Sequence, residues 1–333
     1  MHILIIGTAG MIGRKLANRL AQDGNLGGKV IAELTLVDVV EPESPTGFSG
    51  AISVLIANLS APHAARDLIS RRPDVIFHLA AIVSGEAEAN FDKGYEINLD
   101  GTRQLFDAIY AQGIILTQGK SSPYKPRLIF TSSIAVYGAP FPEQIDDEFF
   151  QTPLTSYGTQ KAICELLLAD YSRRGFFDGI GIRLPTICIR PGKPNKAASG
   201  FFSNILREPL AGQEAVLPVS EDVRHWFTSP RSAIGFLIHA ANLDLARVGP
   251  RRNLNMPGIS ATVGEEIEAL RRFAGEKAVK LIRREKNDVI ERIVAGWPSN
   301  FDTERARRLG FEAEISFDHI VKVHIEDELG GKL

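Results

Sequence analysis

Tyr157 and Lys161 have the spacing of a proton-transfer pair, because residues four positions apart lie on one face of a helix. A tyrosine with its ordinary pKa of about 10 is a poor base near neutral pH, and a nearby ammonium group favours the phenolate. Lowering that pKa by about 3 units requires about 4 kcal/mol of differential stabilisation. Ser133, in the hydroxyl-rich segment 130–133 (FTSS), is a second candidate for this chemistry. A tyrosine–lysine pair also occurs on ordinary surface helices, so the surrounding elements decide between the two interpretations.

Three glycines near the amino terminus, Gly7, Gly10 and Gly13, form a GxxGxxG pattern between an apolar run and a helical pattern. Glycines at such a turn let the backbone approach a pyrophosphate, whose charge lies at the helix N-terminus. Asp38 follows Gly13 by 25 residues, in the second predicted strand. An acid there accepts hydrogen bonds from both hydroxyls of an adenosine ribose and repels a 2′-phosphate, which predicts NAD rather than NADP. The alternatives are a plain glycine-rich turn and a solvated acid at a strand end.

Short apolar runs alternate with longer helical patterns over the first 187 residues. Because these runs are apolar almost throughout, they are typical of strands buried on both faces of a parallel sheet. The pattern predicts an α/β, Rossmann-type, doubly wound fold in which ligands bind at the carboxyl edge of the sheet. Strands are predicted at 2–6, 34–39, 52–57, 75–79, 127–132 and 180–187, and helices at 11–22, 62–71, 88–112 and 156–174.

Beyond residue 187 the pattern changes, with four prolines between 191 and 218. We predict a helix at 232–245, a strand at 253–256 and a helix at 263–274, and a surface loop at 113–127. The cofactor domain is therefore predicted to comprise residues 1–187 and 225–256. A smaller C-terminal substrate lobe comprises 188–224 and 257–333.

Composition excludes several classes of protein. The 333 residues carry 38 Lys and Arg against 40 Asp and Glu, and this balance argues against broad nucleic-acid binding. Cys164 and Cys188 have no metal-ligand spacing and are expected to be free thiols. No apolar stretch approaches the roughly 18 residues of a membrane span, and no secretory signal is recognisable. We expect a cytoplasmic protein with no membrane partner and no metal.

Seven segments spread over nearly the whole chain resemble one family, the extended short-chain dehydrogenases/reductases of the NAD-dependent epimerase/dehydratase superfamily. Its members share a Rossmann fold and oxidise or reduce carbinol carbons with NAD or NADP. The matching segments are GTAGMIG (7–13), Asp38, HLAA (78–81), INLDGT (97–102), TSSIAVYG (131–138), YGTQK (157–161) and FDTERARRLGF (301–311).

This resemblance assigns a role to each matching residue. Ser133 aligns with the catalytic hydroxyl, Tyr157 with the acid/base and Lys161 with the residue that holds the nicotinamide ribose. It also implies a homodimer through the helix that carries Tyr157 and the 88–112 helix. The positions that would contact NAD, besides Tyr157 and Lys161, are Gly7, Gly10, Met11, Ile12, Gly13, Asp38, Asn58, Leu59, Leu79, Ala80, Ala81, Asn98 and Pro185.

Three longer blocks, 78–103, 155–176 and 183–195, resemble a narrower group that oxidises the C2 hydroxyl of a four-carbon sugar acid with NAD. The segment 224–226 (RHW) replaces the Arg-Asp-aromatic pattern of many nucleotide-sugar enzymes. Segment 185–191 likewise lacks their usual Asn-x-Tyr-Gly-Pro. Both departures count against a nucleotide-diphosphate sugar as substrate. Ile134 and Ala135 replace the acid pair expected of a sugar 4,6-dehydratase.

A substrate carboxylate needs a cation, and a bidentate arginine suits it best. Arg190 and Arg224 are the candidates, with Lys193 third, and an ordinary ion pair or solvated side chain is the alternative for each. Ser84 and Thr186 are further candidates for substrate contact, and the alternative for Ser84 is a simple loop cap.

Three other functions are compatible with the sequence. A nucleotide-sugar epimerase would hold NAD tightly and return the hydride. A non-catalytic NAD-binding regulatory protein would need the glycine turn but no working Tyr157–Lys161 pair. The third rival is oxidation of a sugar lactone or an aldose.

Overall fold

The computed structural model describes residues 1–117, 124–192 and 199–332. Strands and helices alternate along the first 187 residues, as the apolar pattern predicts. In chain order they are β1 (His2–Ile6), α1 (Met11–Asp23), β2 (Asn25–Leu26), β3 (Lys29–Val30), β4 (Glu33–Asp38), β5 (Ala51–Ile56), α2 (Ala64–Ser70), β6 (Val75–His78), α3 (Ser84–Ala89), α4 (Phe91–Gly94), α5 (Gly101–Thr117), β7 (Arg127–Ser133), α6 (Ser156–Arg173), β8 (Asp178–Leu184) and β9 (Thr186–Ile187).

The remaining described chain is richer in helices, and its strands are short. One of these strands and two of the helices return to the large sheet, and the other elements build a smaller lobe. They are α7 (Gly200–Leu210), β10 (Ala215–Leu217), β11 (Arg224–Thr228), α8 (Pro230–Asn242), β12 (Asn253–Asn255), β13 (Ile259–Thr262), α9 (Val263–Val279), β14 (Ile282–Arg284), α10 (Asp288–Ala295), α11 (Glu304–Arg308) and α12 (Phe317–Glu328).

The large sheet is parallel and has the order β12-β8-β7-β6-β1-β4-β5. Its central strands are mostly apolar because both faces are covered: Ile3 and Ile5 of β1 enter one core, whereas Leu4 and Ile6 enter the other. Strands β4 and β5 lie on one side of β1. The later strands β6, β7, β8 and β12 lie on its other side. This reversal opens a crevice at the carboxyl ends of β1 and β6, where such sheets bind ligands. The predicted doubly wound fold is confirmed.

Three predicted boundaries differ from the structure. Predicted strand 180–187 divides at Pro185, and β9 leaves the large sheet for a small one with β11 and β13. The predicted 88–112 helix is broken, since Asn90 has φ −138° and ψ 77° and a π-helical turn covers Tyr95–Asp100. Helix α5 extends to Thr117, so the predicted 113–127 loop begins later, and residues 118–123 of it lie outside the described residues.

The C-terminal lobe has its own apolar core, formed by α7, α9 and α12 together with β10, β11 and β14. Two details differ from the predicted domain boundaries. Strand β11, assigned by sequence to the cofactor domain, pairs with β13 and contributes Phe227 to the core of the lobe. Ala306, Leu309 and Phe311, assigned to the lobe, pack into the core of the large sheet. None of the helices in the described ranges is long and apolar enough to cross a membrane.

Candidate active site

The glycine turn between β1 and α1 is built for close backbone approach. Gly7 has φ +97°, and a Cβ there would lie 2.6 Å from the backbone nitrogen of Ala80. A Cβ on Gly13 would lie 2.1 Å from the Gly7 carbonyl oxygen, so no larger residue fits where the helix meets the turn. Exposed Gly10 is the N-cap of α1 and provides no side-chain cap, which leaves the first helical N–H groups available to an anion. This cradle fits the pyrophosphate of a dinucleotide.

Asp38 ends β4 beside this turn. One carboxylate oxygen accepts from the Ala9 backbone nitrogen at 2.8 Å and the other from the Val39 nitrogen at 2.7 Å. These two bonds hold the carboxylate in place, and each oxygen retains a lone pair for a ribose hydroxyl. The geometry therefore fits the adenosine ribose of NAD.

Replacing Asp38 with serine is expected to lower kcat/KM with NAD by about tenfold and to raise it with NADP by a similar factor, since the change removes an acceptor and a repelling charge. Steady-state kinetics with both cofactors measure the change in preference. Glu312→Ser, at an exposed acid of the C-terminal region, is the matched control and should leave the NAD/NADP ratio unaltered. An unaltered ratio in Asp38→Ser would contradict the ribose assignment.

The other predicted cofactor positions lie on neighbouring strand ends. Asn58, in the loop after β5, is exposed, and its side-chain oxygen accepts from the backbone and the hydroxyl of Ser60. Leu59 is 7% exposed and packs in the core. Leu79 and Ala81 follow β6 and line the cavity described below, as do Met11 and Ile12 at the start of α1. Ala80, between the first two, makes the close approach to Gly7.

Asn98 has a positioning contact that the sequence alone did not suggest. It is 1% exposed in the π-helical turn; its amide accepts from the Ile82 nitrogen at 2.9 Å and donates to the Ile82 oxygen at 3.2 Å. A further bond of 2.8 Å joins it to the side chain of Gln160 on α6. Both N–H groups of Asn98 are thus occupied, and it ties the cavity segment after β6 to the tyrosine-bearing helix. π-Helical turns of this kind are frequent at functional sites.

Ser133, Tyr157 and Lys161 converge at the carboxyl edge of the sheet. Ser133 is the last residue of β7, and its side chain hydrogen-bonds that of Tyr157 from the first turn of α6. The ammonium of Lys161 donates to the Thr131 carbonyl oxygen at 2.9 Å and lies 5.7 Å from the centre of the Tyr157 ring. One helix and one strand end thus bring the three predicted catalytic residues together.

The pKa of Tyr157 differs from the sequence expectation. Burial raises it to about 12, whereas the hydrogen bond from Ser133 and the charge of Arg190 oppose this rise. Burial lowers the pKa of Lys161 to about 8, and the charge of nearby Cys164 and Glu165 opposes that change. Arg190 is the cation whose charge favours the Tyr157 phenolate here, and the Lys161 ammonium donates to the Thr131 carbonyl oxygen. Without cofactor, Tyr157 is therefore protonated at neutral pH.

A cavity of about 320 Å³ extends from the glycine turn to the C-terminal lobe. Ser133, Tyr157 and Lys161 line one wall. The opposite wall comes from the segment after β8, where the chain leaves the large sheet at Pro185, and from residues 296–298 between α10 and α11. The predicted residues Ser84, Pro185, Thr186 and Arg190 also line the cavity.

The three candidate cations are placed differently. Arg190 lines the cavity, donates to the Ile187 carbonyl oxygen and the Ser199 hydroxyl, both at 3.0 Å, and is close enough to Tyr157 for its charge to lower that pKa. Arg224 instead lies on the surface, with its guanidinium 3.4 Å from Glu265 and 3.1 Å from the Ser260 carbonyl oxygen. The structure therefore does not bring Arg224 to the cavity, because its side chain leaves β11 on the outer face. Lys193 lies outside the described residues.

His225 and Trp297 are among the cavity residues that the sequence does not predict. His225 directly follows Arg224, so strand alternation places one of the two in the cavity and the other outside. The segment 224–226 departs from the pattern of many nucleotide-sugar enzymes, but which of its residues faces inward depends on strand pairing. Trp297 follows α10 and had no local motif to identify it.

A buried ion pair supports the catalytic wall from behind. Glu165 lies two turns after Tyr157 on α6 and is fully buried. Its carboxylate accepts a hydrogen bond of 2.7 Å from the guanidinium of Arg183 and one of 2.5 Å from the Ser132 hydroxyl. Arg183 is also 3.7 Å from Asp147, which contacts Arg305 of α11 at 3.4 Å. Breaking such a pair leaves an uncompensated buried charge. The network fixes Ser132, and with it the neighbouring Ser133, against α6.

Comparison with known proteins agrees with this geometry. The model of the NAD dependent epimerase/dehydratase family matches residues 3–229. A D-erythronate dehydrogenase of Cupriavidus necator is 45% identical over 98% of this chain and 98% of its own. One of Haemophilus influenzae is 43% identical over 99% of this chain and 100% of its own.

A solved structure from Agrobacterium tumefaciens, described as a nucleoside-diphosphate-sugar epimerase, is 70% identical, with a TM-score of 0.95, and covers 100% of this chain and 95% of that one. Both the broad and the narrower resemblance inferred from the sequence are confirmed. The chain belongs to the NAD dependent epimerase/dehydratase family.

Proposed function

We propose that the protein oxidises the C2 hydroxyl of a small sugar acid with NAD, D-erythronate to 2-dehydro-D-erythronate. The observation that carries the substrate class is Arg190, a cation in the same cavity as Ser133 and Tyr157. The name of the specific acid comes from the two full-length relatives. A carboxylate beside a reacting hydroxyl requires this combination of a guanidinium and a proton acceptor.

In the proposed reaction the hydroxy acid and NAD⁺ give the 2-oxo acid, NADH and one proton. Bound NAD supplies the acceptor for the C2 hydride. The phenolic oxygen of Tyr157 takes the hydroxyl proton, and Ser133, hydrogen-bonded to it, orients the substrate oxygen. Arg190 holds the carboxylate, which fixes C2 relative to Tyr157. Arg190 also favours the phenolate, so one cation both positions the acid and assists the base.

Lys161 has a separate role in this proposal. Its ammonium carries three donors, of which one is used on the Thr131 carbonyl oxygen. The remaining donors suit the hydroxyls of the nicotinamide ribose. The bond to Thr131 at the end of β7 fixes the direction in which those donors point.

A nucleotide-sugar epimerase is the second candidate, favoured by the description of the 70% identical structure. Segments 185–191 and 224–226 lack the patterns of many nucleotide-sugar enzymes, which counts against a nucleotide-diphosphate sugar as the substrate. An epimerase would also retain its NAD and release no NADH. The convergence of Ser133, Tyr157 and Lys161 in one wall argues against a non-catalytic binding protein.

A panel of four- to six-carbon aldonates and uronates, with an aldonolactone, free aldoses and UDP-sugars as controls, distinguishes these functions. We expect NADH formation to be fastest with D-erythronate and absent with UDP-sugars, measured by absorbance at constant NAD. Conversion of a UDP-sugar without net NADH would instead establish the epimerase, and fastest turnover of a lactone or aldose would establish the third rival.

We also propose a homodimer through α5 and α6. Leu166 of α6 is 66% exposed and Tyr110 of α5 is 39% exposed, although both are apolar. The two helices pack side by side through Phe106 and Tyr171, whose rings are 5.7 Å apart. Light scattering of Leu166→Glu against the native protein tests this assembly.

A cytoplasmic location is proposed as well, in line with the free, buried Cys164 and Cys188.

A further inference from the structure

His225 lies in the cavity wall, next to the segment that carries Thr186 and Arg190. It is 2% exposed and is held by aromatic rings. Phe202 stacks on its ring at 5.2 Å and an interplanar angle of 2°, and Phe227 meets it edge-on at 5.3 Å. The Trp297 ring lies 5.3 Å away on the cavity side. These contacts leave the imidazole one orientation.

The imidazole ring of His225 faces the side chain of Thr186. The Nε2 atom of His225 lies 2.7 Å from the Thr186 hydroxyl oxygen, and both residues line the cavity. Strand pairing produces this contact, because β9 and β11 run parallel with Thr186 opposite Phe227. His225 precedes Phe227 by two residues and therefore points to the same face of the small sheet.

The pair is polar but uncharged. Burial, assisted by the charge of Arg190, lowers the pKa of His225 to about 3. His225 is therefore neutral near pH 7 and cannot serve as a second carboxylate anchor beside Arg190. A neutral imidazole that bonds a hydroxyl instead restrains the direction of that hydroxyl's own hydrogen and lone pairs.

We propose that Thr186 binds a hydroxyl of the substrate beyond the reacting carbon, and that His225 is the positioning residue that orients Thr186 for it. This inference rests on the proposed function. Arg190 accounts for the carboxylate, and Ser133 with Tyr157 accounts for the C2 hydroxyl. A four-carbon sugar acid carries two more hydroxyls, which need polar partners in the cavity. A site built to bond a hydroxyl rejects the analogue that lacks it, so the pair selects polyhydroxy acids over plain 2-hydroxy acids.

The test compares two ligands in the native enzyme and in His225→Leu. D-erythronate is measured by kcat/KM, and 2-hydroxybutanoate of the same C2 configuration is measured by its inhibition constant against D-erythronate, so its turnover is not required. His225→Leu should lower kcat/KM for D-erythronate by about 30-fold and change the inhibition constant by less than about threefold. Thr186→Val should reproduce this split. His225→Gln, whose amide reaches the Nε2 position, should recover most of the loss.

Phe202→Leu is the matched control, because it removes the stacking ring but keeps both polar groups. It should weaken both ligands by the same factor. Equal effects of His225→Leu on the two ligands, or no effect on either, would overturn the inference while leaving the proposed function intact. Failure of the native enzyme to form NADH with any acid would overturn the proposed function, and the inference with it.

Discussion

Tyr157→Phe is expected to lower kcat for NAD-dependent oxidation of D-erythronate by about 10³-fold, within the range that a general base contributes. The variant keeps the ring against Lys161 and removes only the oxygen that hydrogen-bonds Ser133. The dissociation constant of NAD should stay within about twofold, because the glycine turn and Asp38 are untouched. Stopped-flow formation of NADH and fluorescence titration with NAD measure the two quantities separately.

Tyr171→Phe is the matched control. Tyr171 lies on the same helix as Tyr157, but its hydroxyl bonds the side chain of Asp107 at the surface. Its loss should leave kcat unchanged within experimental error. Full turnover by Tyr157→Phe would exclude this tyrosine as the base.

The pH dependence of kcat follows from the same residue. Because burial raises the pKa of Tyr157 to about 12, its protonated form dominates at neutral pH in the protein alone. The active form is the phenolate, so kcat should increase with pH, tenfold per unit, until it reaches the pKa that applies in the complex. Arg190 favours the phenolate, so losing its charge should move this increase to higher pH. Tyr157→Phe should show no such increase.

The cofactor half of the site could be predicted from the sequence because its signals are local. Gly13 is required by its contact with Gly7 within a single turn, Gly7 has a positive φ in that turn, and Asp38 follows at the end of the adjacent strand. Tyr157 and Lys161 are one helical turn apart. In each case the chemistry and the element that positions it lie within a short segment, so the spacing, together with the flanking strand and helix patterns, predicts the site.

The substrate half depends on long-range pairing, which spacing does not encode. Arg224 and His225 are neighbours, and only the alignment of Thr186 with Phe227 across β9 and β11 decides which of them faces the cavity. The sequence favoured the charged residue, whereas the structure places the neutral one inside.

The ion pair behind Ser133 was missed for a related reason. Glu165 and Arg183 are separated by 18 residues and meet only because α6 packs against β8. A glutamate within a helix is ordinarily a solvated residue, and nothing in its local sequence indicates burial.

Arg190→Ala should raise KM for D-erythronate by about 100-fold and change KM for NAD by less than about threefold. A guanidinium bonded to a carboxylate is among the stronger charge-assisted contacts, and its loss corresponds to roughly 2.7 kcal/mol at this ratio. Loss of the carboxylate contact, which acts equally on bound substrate and transition state, raises KM. Loss of the charge that favours the Tyr157 phenolate additionally lowers kcat at pH values below the plateau of kcat. Arg190→Lys keeps the charge but loses the planar fork, and it should raise KM by only about tenfold.

Arg224→Ala provides the control for this anchor, since Arg224 belongs to the neighbouring strand but pairs with Glu265 on the surface. We expect its kinetic constants to stay within about twofold of the native values. Arg190 also donates to Ile187 and Ser199, so Arg190→Ala removes two internal hydrogen bonds. The melting temperature of this variant must therefore be measured together with its kinetic constants. If Arg190→Ala disorders the cavity wall, the binding of neutral and acidic ligands should weaken equally. If it removes only the contact with the carboxylate, the binding of acidic ligands alone should weaken. Similar increases of KM for D-erythronate and NAD, or a larger effect of Arg224→Ala, would therefore assign the carboxylate to another residue.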